Sequence, residues 1–168
     1  MWFTGLSSAG KTTISKGVYE RMIASGRRVE LLDGDEVRRH LSKDLGFTKQ
    51  DRDENIRRIG SLAANLNSSG VVALVSVISP YRAVRDEVRS RIGNFVEVYV
   101  NAPLEVCESR DVKGLYRKAR AGELHGFTGI DDPYEHPIAP DLECRTDRES
   151  VAESVEKVLK GIEPWLKP

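Results

Sequence analysis

A glycine-rich segment near the start of the chain constrains the fold more than any other feature of the sequence. Residues 5–12 read Gly-Leu-Ser-Ser-Ala-Gly-Lys-Thr, which fits the phosphate-binding pattern G-x-x-x-x-G-K-S/T. The apolar residues 1–3 before it predict a strand, and apolar residues recur every four positions from Ile14 to Met22, as on one face of a helix. A strand, a glycine-rich loop and a helix in this order predict a nucleotide-binding α/β fold.

The phosphate loop defines the predicted nucleotide site. Its backbone N–H groups and the N-terminus of the following helix form a positive cradle for phosphate oxygens. We expect Lys11 to reach the β- and γ-phosphates of ATP and the Thr12 hydroxyl to bind Mg²⁺. The remaining loop residues expected to contact ATP are Gly5, Leu6, Ser7, Ser8, Ala9, Gly10 and Thr13. The alternative, a glycine-rich turn that only caps a helix, does not explain why Lys and Thr follow Gly10 directly.

Length, charge and hydropathy narrow the class of protein. The 168 residues fit a single domain, 1–168, with a sizeable core. Lys and Arg number 26 and so do Asp and Glu, and this zero net charge argues against a nucleic-acid or anionic-membrane partner. No apolar run approaches the roughly 18 residues of a membrane span. The phosphate loop lies where a signal peptide would lie, so we expect a cytoplasmic protein, either a minimal form or part of something longer.

Strand and helix signals alternate along the rest of the chain. Predicted strands lie at residues 29–33, 71–78, 95–100 and, more weakly, 141–146. Predicted helices lie at residues 36–41, 48–66, 81–92 and 103–109, and a last helix follows. Thr146 and Glu149 are expected to cap this last helix, whose inward face begins at Val151. The alternation predicts a three-layer α/β fold, in which a parallel sheet of about five strands carries helices on both faces.

Polar residues follow the predicted strands at the sheet edge where ligands bind. Asp33 and Asp35 come after the second strand, where a carboxylate can act as a base for an attacking hydroxyl or as an outer-shell partner of Mg²⁺. Asp35 is also the expected N-cap of the next helix. Ile78 and Ser79 follow the third strand at the same edge. This edge of the sheet therefore suits phosphoryl transfer.

The long predicted helix carries polar residues on a face that should be apolar. Extending its apolar stripe backwards from Ile56 leads to Asn55 and Arg52. An Arg that lines a cleft needs an anionic partner, which is either an internal carboxylate such as Asp35 or a ligand anion. We predict ligand contact for Arg38, Arg52 and Asn55.

Residues 110–131 differ in composition from the segments around them. Five basic residues crowd into the first eleven positions, and four glycines punctuate the segment. A basic, glycine-hinged segment over a phosphate cleft predicts a lid that closes on the nucleotide and excludes water. The alternative is a solvated basic helix with a loose tail.

Six segments in order give the chain a resemblance to a known family. They are FTGLSSAGKTT at 3–13, LDGD at 32–35, LGF at 45–47, DRDENIRR at 51–58, VISPYR at 77–82 and DVKGLYRKA at 111–119. The phosphate loop is common to many kinases, and the other five segments are much more specific. The chain thus resembles the adenylylsulfate kinase (APS kinase) family of P-loop kinases, from Phe3 to near the C-terminus. This resemblance implies transfer of the γ-phosphoryl group of MgATP to the 3′-hydroxyl of adenosine 5′-phosphosulfate, for sulfate activation.

The resemblance also implies roles for residues at matching positions. The adenylylsulfate pocket would consist of Arg38, Phe47, Arg52, Asn55 and Ile56, together with Ile78, Ser79 and, in the lid, Lys113 and Leu115. Within it, Phe47 would stack on the adenine, and Asp33 and Asp35 would face the 3′-hydroxyl. Arg110 would lie against the ATP adenine. The implied partners are a second copy of the chain in a homodimer and ATP sulfurylase, either fused or associated.

Two serines need separate treatment within this resemblance. Ser8 stands where the family often has Gly, and its side chain is expected to point away from the phosphates. Descriptions of the family assign a phosphoserine intermediate at the position of Ser79. No neighbour in the sequence is placed as a general base for that serine, and phosphoryl transfer depends more on positioning and charge neutralisation than on covalent chemistry. We therefore predict direct in-line transfer, with Ser79 orienting the substrate.

Two other classes of function compete with this interpretation. A sugar or nucleoside kinase of the same fold would share the phosphate loop but would not need Phe47 with Arg52 and Asn55. A GTP-dependent switch would carry an Asn-Lys-x-Asp segment that reads guanine, and the sequence has none.

Overall fold

The computed structural model describes residues 1–166 and has alternating strands and helices. The strands are β1 (Trp2–Thr4), β2 (Val29–Asp33), β3 (Val72–Ser76), β4 (Glu97–Asn101) and β5 (Leu142–Arg145). The helices are α1 (Lys11–Ala24), α2 (Gly34–Leu41), α3 (Lys49–Ser68), α4 (Arg82–Ile92), α5 (Leu104–Arg110), α6 (Leu115–Arg120) and α7 (Val151–Ile162), and the 3₁₀ turn Glu163–Trp165 follows.

The five strands form one parallel sheet in the order β2-β3-β1-β4-β5. Side chains alternate between its faces, so Trp2 belongs to one apolar cluster and Phe3 to the other. Phe3 packs in the cluster that includes Val18 of α1 and Val158 of α7, and Trp2 packs in the cluster with α3 and α4. The expected three-layer α/β fold is therefore confirmed, and its phosphate loop follows the central strand.

The bounds of two strands differ from the predicted ones. The strand predicted at 71–78 ends at Ser76, because the chain then leaves the sheet to form the loop around Ser79. The strand predicted at 95–100 runs from Glu97 to Asn101, where the Asn101 carbonyl accepts a hydrogen bond from Thr146. None of the helices within residues 1–166 is long and apolar enough to cross a membrane.

The predicted cap of the last helix is wrong. Thr146 and Glu149 fit the capping pattern, but Ser150 and Glu153 fit it too, and they form the capping box of α7. The Thr146 hydroxyl instead donates to the carbonyl oxygen of Ala9 in the phosphate loop at 2.7 Å. Glu149 accepts a hydrogen bond from the backbone N–H of Arg145.

The inward face of α7 also begins later than predicted. Val151 is 51 % exposed, whereas Val155, Val158 and Ile162 are buried. Because Ser150 is the N-cap, Val151 occupies the first helical position, which turns away from the sheet.

Candidate active site

The phosphate loop between β1 and α1 requires glycine at its first position. Gly5 has a φ of +155°, and a Cβ atom there would overlap the carbonyl oxygen of Val100 on the neighbouring strand. The loop also holds Ser8 at a φ of +58°, a left-handed conformation that favours glycine. Of the other loop residues, Leu6 and Ala9 are buried, whereas Thr13 in the first turn of α1 is exposed.

Lys11 lies inside the loop rather than in solvent. Its Nζ donates hydrogen bonds to the carbonyl oxygens of Gly5, at 3.0 Å, and Leu6, at 2.6 Å. Burial disfavours the charged ammonium and lowers the pKa of Lys11 to about 8. A bound phosphate would favour the charged form of Lys11. The buried ammonium is therefore placed where an anionic ligand stabilises it strongly.

Thr12, at the start of α1, lies next to Asp33, at the end of β2. The Thr12 hydroxyl donates to Oδ2 of Asp33 at 2.9 Å and lies 3.4 Å from the hydroxyl oxygen of Ser76. The other carboxylate oxygen of Asp33 accepts the backbone N–H of Asp35 at 3.0 Å. Asp33 is therefore the N-cap of α2, and the prediction that Asp35 caps this helix is wrong. Asp35 is free to project its exposed carboxylate towards the ion partner Lys113.

Arg110, at the end of α5, holds the outer side of the phosphate loop. Its guanidinium donates to the carbonyl oxygen of Thr146 at 2.6 Å and to the Thr146 hydroxyl at 3.2 Å. Its Nη1 lies 3.5 Å from the carbonyl oxygens of Ser8 and Ala9. The side chain thus lies beside the nucleotide loop, and its contact with the adenine of ATP stays a prediction.

Ser79 is buried behind the sheet edge rather than presented to solvent. Its residue exposure is 1 %, and its φ is +43°. Its hydroxyl oxygen accepts from Nε1 of Trp2 at 3.0 Å and donates to Oγ1 of Thr4 at 3.0 Å. Thr4 in turn donates to the carbonyl oxygen of Ile78 at 2.7 Å. Thr4 also lies 2.9 Å from the hydroxyl of Tyr134. Among residues 1–166, this hydrogen-bonded chain includes no carboxylate, imidazole or amine that would act as a base for Ser79.

Two of the residues predicted to bind the acceptor, Arg38 and Arg52, flank Phe47. The Phe47 ring is 66 % exposed, and the guanidinium carbons of Arg38 and Arg52 lie 4.2 and 5.8 Å from its centroid. Arg38 donates to the carbonyl oxygens of Leu45 and Gly46, which fix it against the loop before α3. An exposed aromatic ring flanked by two cations suits a planar ligand that carries negative charge.

Asn55 leaves a polar atom without a partner. Its residue exposure is 8 %, and its Oδ1 is buried with no hydrogen-bond partner within residues 1–166. Burying an unpaired acceptor costs free energy, so such an atom at a cleft marks a position that a ligand donor can satisfy. The next residue, Ile56, is buried in the core and anchors this turn of α3.

Arg52 has an internal partner, but not the one that sequence reasoning named. Its Nε lies 3.6 Å from Oδ2 of Asp132, whereas Asp35 pairs with Lys113. Arg52 also donates to Oγ1 of Thr128 at 2.8 Å and to the carbonyl oxygen of Gly126. These partners lie more than 70 residues away along the chain, so no local pattern identifies them.

The predicted lid segment, residues 110–131, lies against the phosphate loop. Tyr116 of α6 is buried and donates its hydroxyl to the carbonyl oxygen of Ser7 at 3.0 Å. Leu115 is half-buried beside the core, and Lys113 extends across the cleft to the carboxylate of Asp35. The segment is therefore ordered around one short helix, and two of its basic residues, Arg110 and Lys113, border the site.

Comparison with known proteins shows clear similarity to one family. Residues 1–145 match the family model for adenylylsulphate kinase. The chain is 65 % identical over 162 residues to an adenylyl-sulfate kinase of Picosynechococcus, covering 96 % of this chain and 92 % of that relative.

Solved structures give the same relationship. The APS kinase CysC of Mycobacterium tuberculosis in complex with AMPPNP and APS has a TM-score of 0.92 and 43 % identity, with 96 % of this chain and 95 % of that chain covered. A hexameric APS kinase from Thiobacillus denitrificans has a TM-score of 0.74 and 35 % identity, and the match covers 99 % of this chain but 29 % of that longer chain.

Proposed function

Because the chain belongs to the adenylylsulphate kinase family, we propose a mechanism by which its sheet-edge cleft phosphorylates the 3′-hydroxyl of adenosine 5′-phosphosulfate. ATP is the phosphoryl donor, and the products are ADP and 3′-phosphoadenylyl sulfate. The observation that carries the proposal is the meeting of Thr12 with Asp33 at 2.9 Å, beside the lysine of the phosphate loop. Donor and acceptor sites thus share one edge of the sheet.

The donor end of the cleft neutralises phosphate charge. Loop N–H groups and the Lys11 ammonium bind the phosphates of ATP, and Lys11 exchanges its loop carbonyls for phosphate oxygens. The Thr12 hydroxyl would offer the hard oxygen ligand that Mg²⁺ prefers, and the Asp33 carboxylate beside it would be an outer-shell partner, so these residues fit a magnesium ion. A bound Mg²⁺ would supply neutralisation of the charge on the transferred phosphoryl group.

The acceptor end of the cleft recognises a purine and an anion. We assign Phe47 to the adenine of the acceptor, and Arg38 and Arg52 to its phosphosulfate. Asn55 satisfies its unpaired Oδ1 with a donor of the same substrate.

Transfer proceeds in one in-line step. Asp33 orients the attacking 3′-hydroxyl and accepts its proton, and Asp35 with Lys113 closes the cleft beside it. Ser79 stays unmodified, because its hydroxyl is buried between Trp2 and Thr4 and has no base beside it. Its role is to hold the loop that presents Ile78 to the substrate.

A coupled ADP-release assay with adenylyl sulfate, AMP and gluconate in parallel tests the proposal. We expect rapid ADP release with adenylyl sulfate only, because AMP lacks the sulfate and gluconate lacks the purine. Turnover of gluconate above that of adenylyl sulfate would instead identify a sugar kinase of the same fold.

The assembly of the protein is a separate proposal. We propose a homodimer, with ATP sulfurylase as a fused or associated partner and a cytoplasmic location. A related kinase forms a hexamer and has a much longer chain, which supports assembly in this family without defining it here.

A further inference from the structure

The guanidinium of Arg52 is held from two sides. Its side chain is 12 % exposed, and its Nε donates to the carbonyl oxygen of Phe47 at 2.9 Å. Its two Nη atoms bind the lid end, one to the Thr128 hydroxyl at 2.8 Å and the other to the Gly126 carbonyl. One side chain therefore joins the loop before α3 to the segment at the end of the lid.

Arg52 has N–H donors that remain for a ligand. A guanidinium has five N–H donors in a fixed plane, and three of those on Arg52 are used by protein oxygens. The charge is balanced partly by Asp132, which itself accepts one bifurcated hydrogen bond from the Tyr81 hydroxyl, whose oxygen lies 2.9 and 3.2 Å from the two carboxylate oxygens. Two N–H groups remain for the acceptor, and the partners of the other three determine where those two point.

Thr128 is the partner best placed to control this direction. It is 1 % exposed, and its hydroxyl is the side-chain hydrogen-bond acceptor of Nη1. The backbone on either side of it is joined by local hydrogen bonds, since Asp131 accepts from the N–H groups of Gly126 and Phe127 at 2.7 and 2.6 Å. With this turn in place, its hydroxyl can hold a planar guanidinium at one angle.

We propose that Thr128 is a positioning residue that aims Arg52 at the anionic end of the acceptor. The proposal rests on the proposed function, since it assumes that Arg52 binds adenylyl sulfate. It extends that function by assigning a role to a buried hydroxyl 76 positions away along the chain. Loss of this hydroxyl leaves the charge of Arg52 in place but frees its orientation.

The alternative is that the Thr128 hydroxyl only stabilises the fold. A structural hydrogen bond would lower the melting temperature and the amount of active enzyme, and it would affect both substrates equally. A positioning role raises the KM for adenylyl sulfate while the KM for ATP stays unchanged, because ATP binds at the phosphate loop on the other side of the cleft.

The test uses three replacements of one residue. Thr128→Val keeps the shape of the side chain and removes the hydroxyl, and Thr128→Ser keeps the hydroxyl. We expect Thr128→Val to raise the KM for adenylyl sulfate about 10- to 150-fold, as expected for a lost hydrogen bond to a charged group. Thr128→Ser should stay within about twofold of the parent, since the acceptor is retained. Thr128→Ala removes the same hydroxyl without the added methyl group and replaces Thr128→Val if that variant does not fold.

A double-mutant cycle separates a role through Arg52 from an independent effect. In the Arg52→Ala background, Thr128→Val should have no further effect on the KM for adenylyl sulfate. Equal effects on both substrates, the same loss in Thr128→Ser as in Thr128→Val, or full additivity with Arg52→Ala would overturn the proposal. The proposed function fails separately, if the parent enzyme does not phosphorylate adenylyl sulfate at all.

Discussion

Two serines adopt a backbone conformation that usually belongs to glycine, and both lie in loops of the candidate site. Ser8 in the phosphate loop has a φ of +58°, and Ser79 after β3 has a φ of +43°. Such a conformation costs a non-glycine residue about 1 kcal/mol or more, so other contacts must hold it. For Ser79 the carbonyl oxygen accepts from Nη1 of the buried Arg85 at 2.6 Å, and the hydroxyl is fixed between Trp2 and Thr4.

The surroundings of Ser79 and the proposed role of Asp33 predict different effects when each residue is substituted. Ser79→Ala should keep the rate of turnover within about tenfold of the parent, because no covalent step is lost. Asp33→Asn should lower kcat by about 10²- to 10⁴-fold, because the amide neither accepts the proton nor matches the hydrogen bonds of the carboxylate. Steady-state kinetics with adenylyl sulfate and ATP measure both.

Stereochemistry at a chiral γ-phosphorus provides the decisive check of this mechanism. A single in-line transfer inverts the configuration, whereas a relay through a phosphoserine inverts it twice and retains it. Retention, or phosphate trapped on Ser79 at the rate of turnover, would make Ser79 the nucleophile and refute the direct mechanism.

At the scale of elements, local patterns predicted which segments are helices and strands better than where each one begins. On α3 the capping box pairs Thr48 with Asp51, and the local pattern identifies it because one candidate pair precedes the apolar stripe. Before α7 two such pairs occur four residues apart, and the structure uses Ser150 with Glu153. Thr146 is instead needed by the phosphate loop, a contact between distant segments that no local pattern contains.

The features of the candidate site likewise divide into those that local sequence patterns predict and those that they do not. The phosphate loop, Asp33 and the polar end of α3 were predicted from spacing and from strand ends, which are local properties. The carboxylate partner of Arg52 was not, because Asp132 comes next to it only when the lid segment folds back over α3. Sequence therefore predicted side chains that lie together at this edge of the sheet, and tertiary structure was needed to show what holds them.

The lid segment, residues 110–131, should respond to ligands as one element. Its ion pair across the cleft, from Lys113 to Asp35, is exposed and contributes little stability by itself. Its hydrogen bonds from Arg52 to Thr128 and Gly126 lie at its C-terminal end. Hydrogen exchange of residues 110–131 should therefore slow by about tenfold or more when ADP and adenylyl sulfate bind together. Exchange in α7, which packs on the core away from the cleft, serves as the internal control. Equal protection of residues 110–131 with and without ligands would show that this segment is not a lid.

At the scale of the whole molecule, the buried ion pair of Arg85 and Glu97 connects the sheet to the Ser79 loop and to the segment that follows the lid. Arg85 of α4 is 2 % exposed and donates to Oε1 of Glu97 on β4 at 3.0 Å. Its two Nη atoms donate to the carbonyl oxygens of Ser79 and Glu135, each at 2.6 Å. The arrangement links a helix, a strand, the Ser79 loop and the segment that follows the lid.

Arg85→Met should destabilise the protein strongly and in a manner that depends on pH. The substitution leaves Glu97 buried without its main partner, which typically costs about 3–5 kcal/mol out of a total stability of about 5–15 kcal/mol. Burial already raises the pKa of the Glu97 carboxyl above its ordinary value, and the guanidinium of Arg85 opposes that shift. Removal of Arg85 therefore raises the pKa of Glu97 further. The folded variant then holds a proton that the unfolded chain has released, so its free energy of unfolding falls as pH rises above 4.5.

Urea denaturation at pH 5 and pH 8 measures this effect, and the loss of stability relative to the parent should be smaller at pH 5. The control is Arg57→Met, which breaks a half-exposed ion pair with Glu87 and should cost at most about 1 kcal/mol at either pH. The double variant Arg85→Met/Glu97→Gln removes the buried charge, so it should recover part of the lost stability and no longer depend on pH in this range. A loss in Arg85→Met that is the same at both pH values would mean that the cost comes from the lost hydrogen bonds to Ser79 and Glu135, and not from the unpaired carboxylate.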